Sequence, residues 1–147
     1  MPLVYFDASA SVKLLTEEEG SDLAALLWDG CDAAVASRLA YPEVRAALAA
    51  AGRNHDLDHR QLADAERAFE GYWAATRPVE FTGAVERHAG ELARIHALRG
   101  ADAVHLASAL AIGDSGLIMA VWDRRLHAGA LAAGLRVAPA KLGPATS

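Results

Sequence analysis

The chain has 147 residues, 53% of them apolar and 22% charged, which is enough for one domain with its own core and excludes a disordered tail. Its formal charge of −5 excludes a generally basic, nucleic-acid-coating surface. The lone cysteine, Cys31, excludes an internal disulfide, and six histidines without cysteine pairs give no zinc-finger spacing, so a reducing cytoplasm is the expected setting.

Leu3-Val4-Tyr5-Phe6 reads as a short buried strand that ends at Asp7. It is too short for a signal-peptide core. Ser9 or Ser11 is placed to cap a helix through Lys13 and Leu15, and Glu17-Glu18-Glu19-Gly20 interrupts it. A second helix is expected over Ser21 to Trp28 with Leu23, Leu26 and Leu27 inward, then a turn at Asp29-Gly30 and a strand over Ala33 to Ala36. Pro42 belongs in the first turn of the helix that carries Glu43, Val44 and Leu48.

Asp58 and Gln61 form a capping box, and Leu57 and Leu62 have staple spacing. Leu62, Ala65, Phe69, Tyr72 and Trp73 follow on one face, as a stripe for the core or for a second subunit. The next helix starts at Thr82, places Val85, Ala89, Leu92 and Ile95 inward, and stops by Gly100. The segment from Asp58 to Leu98 reads as a helical hairpin inserted into a βα alternation. Another helix runs from Ala101 to Ile112 with Asp102 in its first turn. A strand over Leu117 to Trp122 ends at Asp123, and a last one spans Gly134 to Ala138. The run from Leu117 to Trp122 is far below the ~20 residues that span a bilayer.

Strands alternating with helices predict an α/β fold, a three-layer domain with a short, mostly parallel β-sheet flanked by helices, over residues 1–140 with a tail at 141–147. In such a sheet the carboxyl ends of the strands line one rim, where residues distant in sequence meet. Asp7, Glu43, Asp102 and Asp123 all lie at strand ends or helix starts. Carboxylates gathered there repel one another unless a cation joins them, and Mg2+ takes oxygen ligands of this kind. Set aside as ligands, they leave 14 basic against 15 acidic residues, so any nucleic-acid contact must rest on a local cluster of Lys and Arg. Lys13, Arg38, Arg45, Arg99, Arg124 and Arg125 are the candidate phosphate contacts. His105, one helical turn after Asp102, reads as a packed histidine supporting the site more than as a ligand.

Phe6-Asp7-Ala8-Ser9 with Lys13-Leu14, Pro42-Glu43-Val44, Gly100-Ala101-Asp102-Ala103-Val104-His105-Leu106-Ala107, and Trp122-Asp123-Arg124-Arg125-Leu126 occur in this order. Together they resemble the PIN-domain ribonucleases, closest to the VapC-type toxins of prokaryotic toxin–antitoxin systems. The resemblance covers Leu3 to Pro139. It implies a PIN-like fold and a Mg2+- or Mn2+-dependent endoribonuclease, usually a homodimer, held inactive by a small antitoxin. It implies Asp7, Glu43, Asp102 and Asp123 as the acidic site, with Asp7 and Asp102 direct metal ligands, Glu43 and Asp123 direct or through water, and Ser9 in support.

One departure is Val121, where the family usually carries Thr or Ser; it keeps a degenerate, binding-only domain as an alternative. Two unrelated acidic-pocket designs fit less well. A haloacid-dehalogenase-type phosphotransferase needs a second Asp where Ser9 stands, and a receiver-like module needs a Lys at a later strand end, near Val121 or Val137.

Overall fold

The computed structural model describes residues 2–144; of the expected tail, 145–147 lie outside the described residues. The central strand is β1 (Leu3–Phe6), whose alternate side chains enter two different cores. Tyr5 points into one and Val4 and Phe6 into the other, so the strand is covered on both faces. Beside it lie β2 (Ala33–Ser37) and β4 (Ile118–Ala120), and outside these β3 (Arg77–Val79) and β5 (Arg136–Ala138). The order is β3-β2-β1-β4-β5, and every pair is parallel.

Seven helices flank the sheet among the described residues: α1 (Ala8–Lys13), α2 (Ser21–Gly30), α3 (Ala40–Arg53), α4 (His59–Ala74), α5 (Gly83–His96), α6 (Gly100–Ala111) and α7 (Arg124–Ala132). On one face Tyr5, Val35, Met119 and Val121 pack on Val85, Ala89 and Leu92 of α5, Val104 and Leu106 of α6, and Leu126 of α7. On the other, Val4, Phe6, Ala34 and Ala120 meet Ala10 of α1 with Leu27 and Trp28 of α2. A third cluster joins Val44 and Leu48 of α3 to Ala65 and Phe69 of α4, with Val12 and Leu15 beneath. None of the helices among the described residues is long and apolar enough to cross a membrane.

Local signals behave as their chemistry requires. The Asp58–Gln61 capping box forms in both directions, Thr82 caps α5, and Pro42 sits in the first turn of α3. The differences come from tertiary contacts. At α1 the cap is Asp7, which accepts the amide of Ala10, and not Ser9 or Ser11. The expected hairpin between Asp58 and Leu98 contains β3, which pairs with β2 and makes this segment part of the sheet. Three residues with Pro78 at their centre carry no strand periodicity, and an edge position tolerates the missing amide. The sheet is wholly parallel, and β4 and β5 are three residues each, shorter than their apolar runs. Leu26 and Ile95, expected inward, are 71% and 58% exposed; Leu26 lies on the side of α2 opposite the buried Ala24, and Ile95 lies outside the arc of α5 that buries Val85, Ala89 and Leu92.

The chain reaches α2 through Gly20, which adopts φ +94° and φ in this range favours glycine. A Cβ there would lie 2.7 Å from Nε1 of Trp122 and 3.0 Å from Cδ of Lys13. Gly20→Ala should therefore destabilise the fold by about 1–3 kcal/mol, from backbone strain and displacement of Trp122. Urea unfolding of the two proteins measures it, and equal midpoints would show that the turn relaxes freely.

Candidate active site

The sheet order makes the site. Because β2 lies on one side of β1 and β4 on the other, the chain reverses its direction of winding across β1, and a crevice opens at the carboxyl ends of β1 and β4. Asp7 follows β1 and caps α1; Asp123 follows β4 and caps α7, its Oδ1 accepting the amide of Leu126 at 2.9 Å. Asp102 enters from the first turn of α6 and Glu43 from the first turn of α3.

Asp7 is the buried member, at 4% exposure. Its Oδ1 accepts the hydroxyl of Ser9 at 2.7 Å and the amide of Ala10 at 2.8 Å. Burial raises its pKa; the His105 ring and the two hydrogen bonds pull it back, and the field of Asp102 adds to the rise. Asp102 and Asp123 are linked by Arg99, whose Nε donates to Asp102 Oδ2 at 3.1 Å and whose Nη2 donates to Asp123 Oδ2 at 3.2 Å.

Glu43 is held from behind by a buried chain of hydrogen bonds. The backbone amide of Ser37 donates to Tyr5 Oη at 3.1 Å, and Tyr5 Oη lies 2.7 Å from His105 Nδ1. His105 Nε2 lies 2.5 Å from Glu43 Oε1. An amide can only donate, so the phenol proton of Tyr5 is free for Nδ1 and the imidazole proton falls on Nε2, facing Glu43. Both ring nitrogens of His105 are engaged within the protein, which suits a supporting histidine. Tyr5 was legible only as a strand residue, and Ser37 lies one residue past the expected strand; a hydroxyl-bearing tyrosine in an otherwise apolar strand is the one signal in the sequence.

The cations divide into two groups. Arg99 lies on the site, Arg124 and Arg125 are exposed in the first turn of α7, and Lys13 sits over the Trp122 ring at 5.3 Å with its ammonium on the carbonyl of Glu19. A cleft of about 520 Å³ beside Asp123 is lined by Lys13, Trp122, Arg124 and Lys141. Arg38 instead pairs with Glu80, and Arg45 with Glu66 and Glu70, outside the acidic crevice. A cleft of about 830 Å³ between the end of α1 and α4 holds none of the four acids. Val121 is fully buried in the core that contains Tyr5 and Leu126.

The donor set suits a hard divalent ion, being carboxylate and hydroxyl oxygen throughout. Among the described residues no three His, Cys, Asp or Glu side chains converge into a ready cage. Mg2+ does not need one, since it keeps several waters and is commonly bound through one or two carboxylates.

Two stability effects follow. Tyr5→Phe leaves the buried Ser37 amide and His105 Nδ1 without a partner, and should cost about 1–3 kcal/mol in chemical denaturation. Asp7→Asn should act in the opposite direction. The folded pKa of Asp7 lies above its unfolded one, so between the two values the folded state holds a proton that the unfolded state has lost. Stability therefore falls as pH rises through that window, and the penalty is complete only above the folded value. Asn keeps the cap acceptor without the charge, so without metal ions Asp7→Asn should be at least as stable as the parent at pH 7, with the gain shrinking as pH falls below the ordinary carboxylate range. A variant less stable than the parent at pH 7 would contradict this.

Comparison with known proteins agrees with the architecture. The PIN domain family model matches residues 4–128. Ribonuclease VapC45 of Mycobacterium tuberculosis (strain CDC 1551 / Oshkosh) is 78% identical over 144 residues, covering 98% of this chain and all of the relative. Among solved structures, a toxin-antitoxin complex from Klebsiella pneumoniae superposes with a TM-score of 0.66 at 16% identity, over 95% of this chain and 99% of that one. Mycobacterium tuberculosis VapC20, described as a Sarcin-Ricin loop cleaving toxin, gives 0.66 at 20% identity over 90% and 95%. With a family match over most of its length and a near-full-length relative at 78% identity, the chain belongs to the PIN domain family and is of the VapC type.

Proposed function

We propose that the protein is the toxin of a toxin–antitoxin pair, an endoribonuclease that cleaves RNA phosphodiester bonds with Mg2+ or Mn2+. The observation that carries the reading is the end of β1 and β4, where Asp7 and Asp123 follow their strands, Arg99 joins Asp102 to Asp123, and Glu43 is braced by His105. The 78% identical relative, named a ribonuclease, supports the activity.

Asp7 and Asp102 are the residues to hold the ion directly, with Glu43 and Asp123 binding directly or through water. The ion would lower the pKa of a bound water and offset charge on the phosphate oxygens. The chain's own part is positioning. Ser9 and the Ala10 amide fix the Asp7 carboxylate, and a cation in the crevice favours its ionised form against burial. The Tyr5–His105 chain fixes one oxygen of Glu43, which is 30% exposed, and leaves the other for proton transfer. Lys13, Arg124 and Arg125 supply positive charge beside an acidic site on an acidic protein, where an RNA strand needs it. Arg38 and Arg45 contribute less, since their pairs with Glu80 and with Glu66 and Glu70 lie away from the four acids.

The partner is a small antitoxin that covers the crevice and places a basic side chain, Arg above all, against Asp7 or Asp102. The likeness to a toxin-antitoxin complex supports such a partner. A homodimer in the cytoplasm completes the reading.

Purified, antitoxin-free protein should cleave RNA in Mg2+ or Mn2+ and stop in EDTA. Asp102→Asn should lower the rate by at least ~100-fold while leaving the fold intact. Equal cleavage in EDTA would remove the metal mechanism. Absence of cleavage with every divalent ion would favour the binding-only domain to which Val121, lacking the family's usual hydroxyl, points.

A further inference from the structure

Arg99 is the residue immediately before α6, and its side chain turns back over the acids instead of extending into solvent. Its two contacts fall on Oδ2 of Asp102 and Oδ2 of Asp123. Oδ1 of Asp123 accepts the Leu126 amide and Arg99 sits on the other oxygen, Oδ2, so a cation that binds Asp123 through Oδ2 must displace it. The other arginine pairs, Arg38 with Glu80, Arg45 with Glu66 and Glu70, Arg67 with Asp64 and Arg94 with Glu91, involve none of the four site acids.

The guanidinium is also easily removed. Arg99 is 70% exposed, whereas its partners Asp102 and Asp123 are 13% and 31% exposed, so it covers the carboxylates from the solvent side. Pairs of this kind are weak in water, because solvent screens the charges and a long side chain must be held in place. A divalent ion carries twice the charge into the same oxygens and is the stronger competitor.

We propose that Arg99 is an exchangeable counter-ion of the active site. It neutralises Asp102 and Asp123 in competition with the divalent ion, and when displaced it stands beside the ion and binds an RNA phosphate. The inference rests on the metal-dependent nuclease reading. It assigns to one residue two opposed effects: Arg99 weakens metal binding and strengthens RNA engagement. Planar guanidinium suits both tasks, since it binds carboxylate and phosphate by the same fork of donors.

The test uses Arg99→Gln, which keeps length and polarity without charge at an exposed position. Mn2+ binding to the RNA-free protein, followed by calorimetry or by the electron spin resonance of free Mn2+, should tighten by about 3- to 10-fold. The Mn2+-induced rise in melting temperature should grow with it. Arg99→Lys, which can reach only one carboxylate at a time, should fall between the two. For cleavage of a labelled single-stranded RNA oligonucleotide at saturating Mn2+, the slope of log kcat/KM against log salt should become shallower by about one unit in Arg99→Gln.

A parent that binds Mn2+ and an Arg99→Gln variant that binds it equally or more weakly would overturn the exchange while leaving the metal mechanism in place. Tighter Mn2+ binding with an unchanged salt slope would overturn the phosphate contact. A parent without Mn2+ affinity, or one that cleaves equally well in EDTA, would overturn the metal reading and the exchange with it.

Discussion

Carboxylates held close together in a partly dry crevice repel, and most of this structure around the β1–β4 edge is organised to hold them there regardless. Asp7 bears the largest share of the cost, because it is the most buried and burial disfavours its charge. The remedy is local and visible in each case: two hydrogen bonds on Asp7, an imidazole on Glu43, and a guanidinium shared by Asp102 and Asp123. A fold that accepts this tension has placed it where a cation or a phosphate-bearing strand can relieve it.

The position of β1 is what gathers the acids. As the central strand it is buried on both faces, so its end is fixed by two cores at once, and the neighbouring end of β4 is fixed against it through the pairing of Phe6 with Ala120. Helix starts then deliver the other two carboxylates, with their backbone amides pointing the same way. The histidine chain extends this support below the sheet surface: Ser37 at the end of β2, Tyr5 in β1, His105 in α6 and Glu43 in α3 draw four elements onto one carboxylate. Rigidity behind the site and exposure in front of it are therefore products of the same packing.

The exposed cations follow a different logic. Those paired on helix surfaces, such as Arg45 with Glu66 and Glu70, join α3 to α4 and leave little charge for a ligand. Those near the crevice, Lys13, Arg99, Arg124 and Arg125, lie at helix ends where the backbone turns toward the site. On a chain with a net charge of −5, this restricts any attraction for RNA to the mouth of the crevice.

Capping and periodicity are short-range chemistry, and they were legible. The Asp58 capping box, the Thr82 cap, the apolar faces of α4 and α6, and the two strand-to-Asp-to-helix joins at Asp7 and Asp123 all depend on residues within a few positions of one another. The candidate acids could be named for the same reason, since each sits at such a join or first turn. Tertiary structure alone decided the rest. Whether Arg77 to Val79 is a strand depends on β2 standing beside it, and whether Leu26 or Ile95 is buried depends on which arc of its helix the packing turns inward. The Tyr5–His105–Glu43 chain and the reach of Arg99 from Asp102 to Asp123 join residues from separate elements, and no local pattern encodes a contact whose partners meet only when the sheet closes.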